Sequence, residues 1–187
     1  MVDQASTSPN TQEAQSNGEN PGDQQQQPQT NPDLTVRLLS DRRVFQAVLN
    51  LKRRYKSTTV YAVDEHTLAV SIDVNDIVDE IKEKVRQASS VYFKQGDKLI
   101  GGYIIIEFEG SKTGVPLDQD PKVRAGVERL KQIGYNVTLY TDEGKGYVIL
   151  DAEEIGRNIA KEIKFFKRRY AIDNGRLIIT IIKGGGS

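Results

Sequence analysis

The chain has 187 residues, and its 26 lysines and arginines are balanced by 26 aspartates and glutamates. This length fits one ordinary domain or two small ones. The absence of cysteine excludes disulfides, thiol nucleophiles and cysteine-based metal centres, and a single histidine excludes His-rich metal sites. No stretch resembles a signal peptide or the roughly 18 apolar residues of a membrane span, so we expect a cytoplasmic protein with no membrane segment.

The charge balance averages two different segments. Residues 1–33 contain eight Gln, four Asn, four of the six Pro, five acidic residues and no basic residue. Such a segment buries too little apolar surface to offset an ordering cost of about 1–2 kcal/mol per residue. We therefore expect a disordered acidic tail in front of a core, residues 34–187, in which bases exceed acids by five.

The first half of the core shows alternating strand and helix patterns. Val44, Val48, Leu51 and Tyr55 recur at helical spacing after a start at Ser40 or Asp41. The predicted elements are, in chain order, a strand at 34–39, this helix, a strand at 58–63, a helix capped by Asp73, and strands at 91–94 and 102–108.

The second half begins with a predicted linker at 111–120. The elements predicted after it are a helix at 122–133, a strand at 136–141, a helix at 152–167 and a hairpin turning at Asp173-Asn174-Gly175. Residues 68–72 and 147–150 fit either an extra strand or the first turn of the next helix, and the aspartates after them favour the strand. The second half lacks a leading strand of its own, unless it uses 102–108.

The core matches itself at an offset of 78 residues. The matching pairs are Asp64-Glu65 with Asp142-Glu143, Asp73 with Asp151, Ile77 with Ile155, Ile81 with Ile159, Val85 with Ile163, and Tyr92 with Tyr170. A constant offset along a helical stripe indicates an internal duplication. The alternative is two helices that share ordinary amphipathic spacing.

The predicted order of strand, helix, strand, helix, strand, strand resembles that of the Alba superfamily of DNA- and RNA-binding proteins, and the C-terminal domain of bacterial translation initiation factor three shares it. Residues 38–45, LLSDRRVF, resemble the Alba entry to its first helix, and 121–123, PKV, are similar. Residues 144–146, GKG, lie where Alba carries its basic glycine turn, whereas the first repeat has EHTL at 65–68 instead. The resemblance implies an α+β fold of two Alba-like repeats that binds nucleic acid.

Basic clusters are the candidate binding residues. Arg42 and Arg43 start a predicted helix, where cations oppose the helix dipole, which indicates an anionic partner. Clusters at 52–56 and 164–170 are predicted to end helices, and there the dipole alone would favour cations. The expected phosphate-contacting residues are Arg42, Arg43, Lys52, Arg53, Arg54, Lys122, Lys145 and Arg168.

The repeated acidic residues offer a weaker alternative. Paired carboxylates can hold Mg²⁺ for phosphoryl chemistry, but the same residue types cap helices and turns. The set comprises Asp64, Glu65, Asp73, Asp142, Glu143 and Asp151. His66 lies in a predicted turn with no nucleophile beside it. We therefore expect no enzymatic activity, no cofactor and no metal site.

Together these patterns predict an α+β protein with Alba-like repeats at 34–110 and 121–184, a linker at 111–120, the tail at 1–33 and a flexible end at 185–187. The expected function is backbone binding of duplex DNA or structured RNA with low sequence specificity. The rival interpretation is a structural or assembly protein of viral or mobile-element origin. In that case the tail would be an interaction arm, and exposed sheet edges would pair subunits.

Overall fold

The computed structural model describes residues 31–111, 114–164 and 166–184. Over these ranges the chain forms five α-helices and two four-stranded antiparallel sheets. The helices are α1 (Pro32–Leu39), α2 (Arg42–Arg54), α3 (Val74–Lys84), α4 (Pro121–Ile133) and α5 (Ala152–Ala160). The strands are β1 (Thr59–Asp64), β2 (Thr67–Asp73), β3 (Ser90–Gln95), β4 (Gly102–Glu109), β5 (Leu139–Asp142), β6 (Lys145–Asp151), β7 (Lys167–Asp173) and β8 (Arg176–Ile182).

The predicted leading strand at 34–39 is wrong, because this segment is helix α1. Asn31 caps the helix by accepting hydrogen bonds from two backbone N–H groups of the first turn, and Pro32 occupies the first helical position with a preset φ. Thr35 Oγ1 then accepts a hydrogen bond from the backbone N–H of Ala62, at 3.1 Å. The helix therefore covers the outer edge of β1, which a strand would have extended.

The proposed segment boundaries are only partly described. Of the predicted tail 1–33, residues 1–30 lie outside the described residues, while 32–33 belong to α1. The predicted flexible end 185–187 also lies outside them. The linker 111–120 contains a short 3₁₀ helix, Leu117–Gln119, and leads into α4.

From α2 onward, both halves of the chain have the order helix, strand, strand, helix, strand, strand, and the 78-residue offset recurs between them; α1 is an additional helix of the first half. Strand β2 corresponds to β6, and α3 corresponds to α5, each at that offset. The segments left open at 68–72 and 147–150 are strands, as the aspartate caps favoured. One side-chain oxygen of Asp73 and one of Asp151 each accept a hydrogen bond from the backbone N–H two residues later, at 2.9 Å.

The two repeats exchange hairpins. One sheet, here the first sheet, has the order β1-β2-β8-β7 and joins the β1–β2 hairpin of the first repeat to the β7–β8 hairpin of the second. The other, the second sheet, has the order β3-β4-β6-β5 and joins the remaining two hairpins. Strand β4 thus pairs with the second repeat, and β8 pairs with the first in return. Each sheet depends on both repeats.

The helix predicted at 152–167 ends at Ala160. The chain then turns so that Ile163, 1% exposed, enters the core. Strand β7 begins at Lys167, which lies opposite Ile182 of β8, so the helix cannot extend to residue 167. The hairpin turn between β7 and β8 is confirmed, and Asn174 (φ 49°) and Gly175 (φ 72°) have the positive φ angles of a type I′ turn.

One hydrophobic core runs through both repeats. It contains residues of α2 and α3, such as Val48 and Ile77, together with Phe108 of β4, Leu150 of β6 and Ile179 of β8. Among the described residues, no helix is long and apolar enough to cross a membrane.

Candidate nucleic-acid interface

Helix α2 presents a basic side to solvent. Its N-cap is Asp41, whose Oδ1 accepts a hydrogen bond from the backbone N–H of Arg43 at 2.9 Å. Val44, Val48 and Leu51 are buried along the opposite side of the helix. The helix contains five basic and no acidic residues, and all five basic residues are exposed. Arg54 is held by carboxylates, and the other four, Arg42, Arg43, Lys52 and Arg53, are here called the basic α2 surface.

At the N-terminal end of α2, Phe166 and Lys183 of the second repeat contact Arg43 and the N-cap Asp41. The guanidinium carbon of Arg43 lies 5.0 Å from the centre of the Phe166 ring, which is a cation–π geometry. Lys183 Nζ lies 3.3 Å from Asp41 Oδ2, and Arg43 Nε lies 3.7 Å from Asp41 Oδ1. The repeats therefore meet at the start of α2.

The charge of Asp41 is stabilised in place. Burial alone would raise the pKa of Asp41, but the backbone N–H of Arg43 and the ammonium of Lys183 hold it below its ordinary value. Arg43 is also within ion-pair distance of Asp41, so the charge of the N-cap accounts for part of the positive charge here. Within the described residues Arg42 has no such contact, and the charge of Asp41 does not explain it.

At the C-terminal end of α2, Arg54 is exposed but forms ion pairs with two carboxylates. Its Nη1 donates to Glu162 Oε1 at 2.7 Å, and its Nε donates to Glu80 Oε2 at 2.6 Å. Hydrogen bonding to Glu80 raises the pKa of Arg54, and Arg54 in turn holds the pKa of Glu80 low against the effect of burial. The structure therefore gives Arg54 a role in packing helices together.

The other bases of α2 face solvent. In the described part of the chain, the side chains of Arg42, Lys52 and Arg53 make no hydrogen bond or ion pair. Lys52 and Arg53 lie in the last turn, where cations complement the helix dipole. Arg42 lies in the first turn, where the dipole disfavours a cation.

The three candidates from the second repeat lie in different settings. Lys122 is exposed in the first turn of α4, as Arg43 is in α2. Lys145 begins β6 and lies in register between Glu109 and Asp142, so its surroundings are acidic.

Arg168 is half-buried. Its Nη1 donates to the backbone carbonyl of Ile163 at 2.7 Å and contacts that of Phe166 at 3.4 Å. Arg43 and Arg168 both contact Phe166, Arg43 at the ring and Arg168 at the backbone carbonyl. The guanidinium of Arg168 is therefore partly used by main-chain oxygens.

Two neighbours of this surface were not singled out by the sequence. Phe166 lies within the basic cluster 164–170, and its position there did not indicate a contact with Arg43. Lys183 carried no signal, because its contact with Asp41 depends on where β8 ends relative to α2. Neither contact follows from spacing along the chain.

Three of the six repeated acidic residues cap a turn or a helix. Asp64 Oδ1 accepts a hydrogen bond from the backbone N–H of His66 at 2.8 Å, and Asp73 and Asp151 cap α3 and α5. Within the ranges that the structure describes, no three His, Asp or Glu side chains are grouped so as to hold a metal ion.

Comparisons with protein-family models, curated proteins and solved structures return no match to this chain. The resemblance to the Alba superfamily stays a prediction. The observed order of helix, strand, strand, helix, strand, strand also differs from the order on which that resemblance depended.

Proposed function

We propose that this protein binds nucleic acid through phosphate contacts made by the basic α2 surface. The observation that carries the proposal is a solvent-facing helix with no acid and five exposed bases, four of which are not held by Glu80 and Glu162. Such a concentration of positive charge on one element is typical of surfaces that meet phosphate backbones.

Stability alone does not account for this charge distribution. Each cation in the first turn of a helix opposes the dipole by about 0.3–1 kcal/mol. Arg42 and Arg43 both lie in that turn. A phosphate group placed there would gain from the two guanidinium groups and from their pairing geometry with phosphate oxygens. Lys52 and Arg53 support the proposal less strongly, because the dipole favours them anyway.

The length of α2 suits a backbone contact. Arg42 and Arg53 lie at opposite ends of the 13-residue helix, about 17 Å apart along its axis. That separation spans about five nucleotide steps of one strand at 3.4 Å each. The two ends can therefore engage different phosphates, and no base-reading side chain is required, so low sequence specificity is expected.

The remaining expected residues contribute unequally to this proposal. Lys122 lies in the first turn of α4, as Arg43 does in α2, and we expect it to make a secondary phosphate contact. Arg54, Arg168 and Lys145 already have protein partners or acidic neighbours. We expect their substitution to change stability more than affinity. An assembly role is the second candidate, and it is favoured by exposed tyrosines on the outer face of the second sheet.

The test is a salt titration of fluorescence anisotropy with a labelled 20-base-pair duplex DNA and a labelled RNA hairpin. Arg42→Ala/Arg43→Ala should lower the slope of log affinity against log salt by about 1.8 for duplex DNA, because about two fewer counterions are released. The matched control is Arg124→Ala/Lys131→Ala, which removes the same charge from exposed positions on α4.

An equal change in both variants would show that only net charge matters. Absence of binding by the parent protein at low salt would refute the proposal. Cleavage of the probes when Mg²⁺ is added would favour the nuclease alternative instead.

A further inference from the structure

The second sheet has an outer face rich in tyrosine and isoleucine. In its register, Tyr92 lies opposite Ile105, Ile105 opposite Ile149, and Tyr147 opposite Tyr140, and directly opposed residues share a face. The alternating residues Ile104, Ile106, Val148 and Leu150 are buried in the core. The tyrosine face is therefore the side that points away from the core; it comprises Tyr92, Tyr103, Ile105, Tyr140, Tyr147 and Ile149.

The large side chains of this face are open to solvent. Tyr140 is 55% exposed, Tyr103 and Ile149 are each 48% exposed, and Tyr92 is 39% exposed. Contiguous apolar and aromatic surface of this kind marks an interaction site more often than isolated exposed residues do.

The fold does not require this composition. At the 78-residue offset, Tyr147 corresponds to Ala69 and Ile149 corresponds to Ser71 on the outer face of the first sheet. Ala69 and Ser71 are almost fully buried by their neighbours. The two repeats thus place side chains of different size at these equivalent positions, and the large ones, Tyr147 and Ile149, lie on the second sheet.

The charges around the tyrosine face disfavour nucleic acid as that partner. The outward positions of the same strands carry Glu107, Glu109, Asp142 and Asp151, against Lys94 and Lys145. Stacking of bases on aromatic side chains is normally combined with a positively charged groove, and this face has an acidic excess. A protein partner fits the face better.

We propose that the tyrosine face packs against the same face of a second copy of this chain. The proposed dimer has a two-fold axis that runs parallel to the strands and passes above the line between β4 and β6. Such an axis places β4 of one copy over β6 of the other. It thereby sets Lys145 opposite Glu109 and Ile105 opposite Ile149 of the other copy, each pair occurring twice.

The centre of this arrangement is also complementary. Glu107 comes opposite Tyr147 of the other copy. Tyr92 donates a hydrogen bond to Glu107 Oε1 at 3.1 Å, so the second carboxylate oxygen is available to a tyrosine hydroxyl. Face-to-face sheets pack about 10 Å apart with aligned strands, which suits side chains of this size.

The expected dimer is weak, because each copy brings an excess of two acidic residues to the interface and because the contact area is small. Four strands spaced about 4.8 Å apart, with about three outward residues each on average, cover roughly 400 Å² per copy. Stable interfaces commonly bury about 800 Å² of accessible surface per partner, so this interface is at the small end and should dissociate at micromolar concentrations. This inference does not depend on the proposed function, because the basic α2 surface lies on a different element.

The test is sedimentation equilibrium of the full chain between about 1 and 200 µM. The expected mass rises with concentration from 20.9 kDa towards twice that value. Ile149→Ser, which introduces the residue type found at position 71, and Lys145→Glu, which brings two carboxylates opposite each other, should each weaken dimerisation at least tenfold. Circular dichroism checks that both variants fold.

The charge exchange Lys145→Glu/Glu109→Lys should restore the dimer, because it restores the opposed pairs. Val63→Ser is the matched control, since Val63 is a 58% exposed apolar residue on a strand of the first sheet. A monomer at every concentration would overturn the proposal, as would a dimer that survives Ile149→Ser and Lys145→Glu.

Nucleic-acid binding separates this proposal from the proposed function. At concentrations where the chain is monomeric, Ile149→Ser should bind labelled poly-dT and duplex DNA as the parent does. Loss of poly-dT binding in that variant would assign the tyrosine face to nucleic acid and overturn the dimer proposal. Failure of Arg42→Ala/Arg43→Ala to alter DNA binding would leave the dimer result unaffected.

Discussion

The guanidinium of Arg54 holds the carboxylate of Glu80 in a bidentate pair: Nε donates to Oε2 at 2.6 Å and Nη2 donates to Oε1 at 2.8 Å. Glu162 accepts a third hydrogen bond from the same group. The last residue of α2 is thereby joined to α3 and to the segment that follows α5. Elements of both repeats meet at one side chain.

Replacing Glu80 should therefore weaken the fold. Glu80→Gln removes the charge of a pair whose side chains are 33% and 15% exposed, and hydrogen bonds to charged groups contribute about 1.5–3 kcal/mol when well shielded. Because Arg54 is partly exposed and solvent screens the pair, we expect a loss of about 1–2 kcal/mol in the free energy of unfolding. Urea denaturation measures this loss.

Glu83→Gln is the control, because Glu83 is an exposed carboxylate on the same helix. It should change the free energy of unfolding by less than about 0.5 kcal/mol. Equal losses in the two variants would show that the pair with Arg54 contributes nothing specific.

Asp120 should make stability depend on acid pH. This buried N-cap of α4 accepts hydrogen bonds from the hydroxyl and the backbone N–H of Ser111 and from the backbone N–H of Lys122. These donors lower the pKa of Asp120 from 3.8 to about 2. Because the folded state binds the proton less readily than the unfolded chain, stability is present above the ordinary pKa and falls as the pH drops from about 4 towards 2.

The measurement is urea denaturation at several pH values between 2 and 7. Asp120→Asn should be less stable than the parent at neutral pH and should lose less stability on acidification. Asp118→Asn, a change at an exposed neighbouring carboxylate, should follow the parent curve. If Asp120→Asn and the parent lost stability in parallel, the titration of Asp120 would not be coupled to folding.

Phe166 should affect nucleic-acid affinity without affecting its salt dependence. Its ring lies against the guanidinium of Arg43, a contact worth about 0.5–1 kcal/mol at an exposed site. Phe166→Leu keeps an apolar side chain against the core but removes the ring that orients Arg43. We expect an affinity about two- to fivefold lower and an unchanged slope against salt, because no charge is removed.

Anisotropy titrations at four salt concentrations check this expectation. Arg42→Ala/Arg43→Ala, which should lower the slope, is measured alongside. A lower slope for Phe166→Leu, or an affinity equal to that of the parent, would show that the ring does not position Arg43 for binding.

Local patterns in the sequence predicted most of the elements. The apolar spacing of α2, the aspartate caps of α3 and α5, and the Asn174-Gly175 turn depend on residues close together in the chain. The 78-residue offset also anticipated that both halves share one order of elements. Each of these features is decided by short-range sterics, capping and periodicity, which a single sequence displays.

Helix α1 is an element that local sequence patterns did not predict. Residues 34–39 have a strand-like apolar pattern, yet Asn31 and Pro32 start a helix there, and its hydrogen bond from Ala62 joins it to β1. Asn31, the N-cap of this helix, lies within residues 1–33, whose composition predicts a disordered tail, so no helix start was expected there.

The sequence by itself determined the repeat, the helix caps, the hairpin turn and the run of bases on α2. Only the tertiary structure decided that the repeats exchange hairpins, that Arg54 is committed to Glu80 and Glu162, and that Phe166 and Lys183 meet the start of α2. Those contacts join residues from 26 to more than 100 positions apart. They form because buried strands must find partners and buried charges must be neutralised, and neither requirement specifies from the sequence alone which distant residue will meet it.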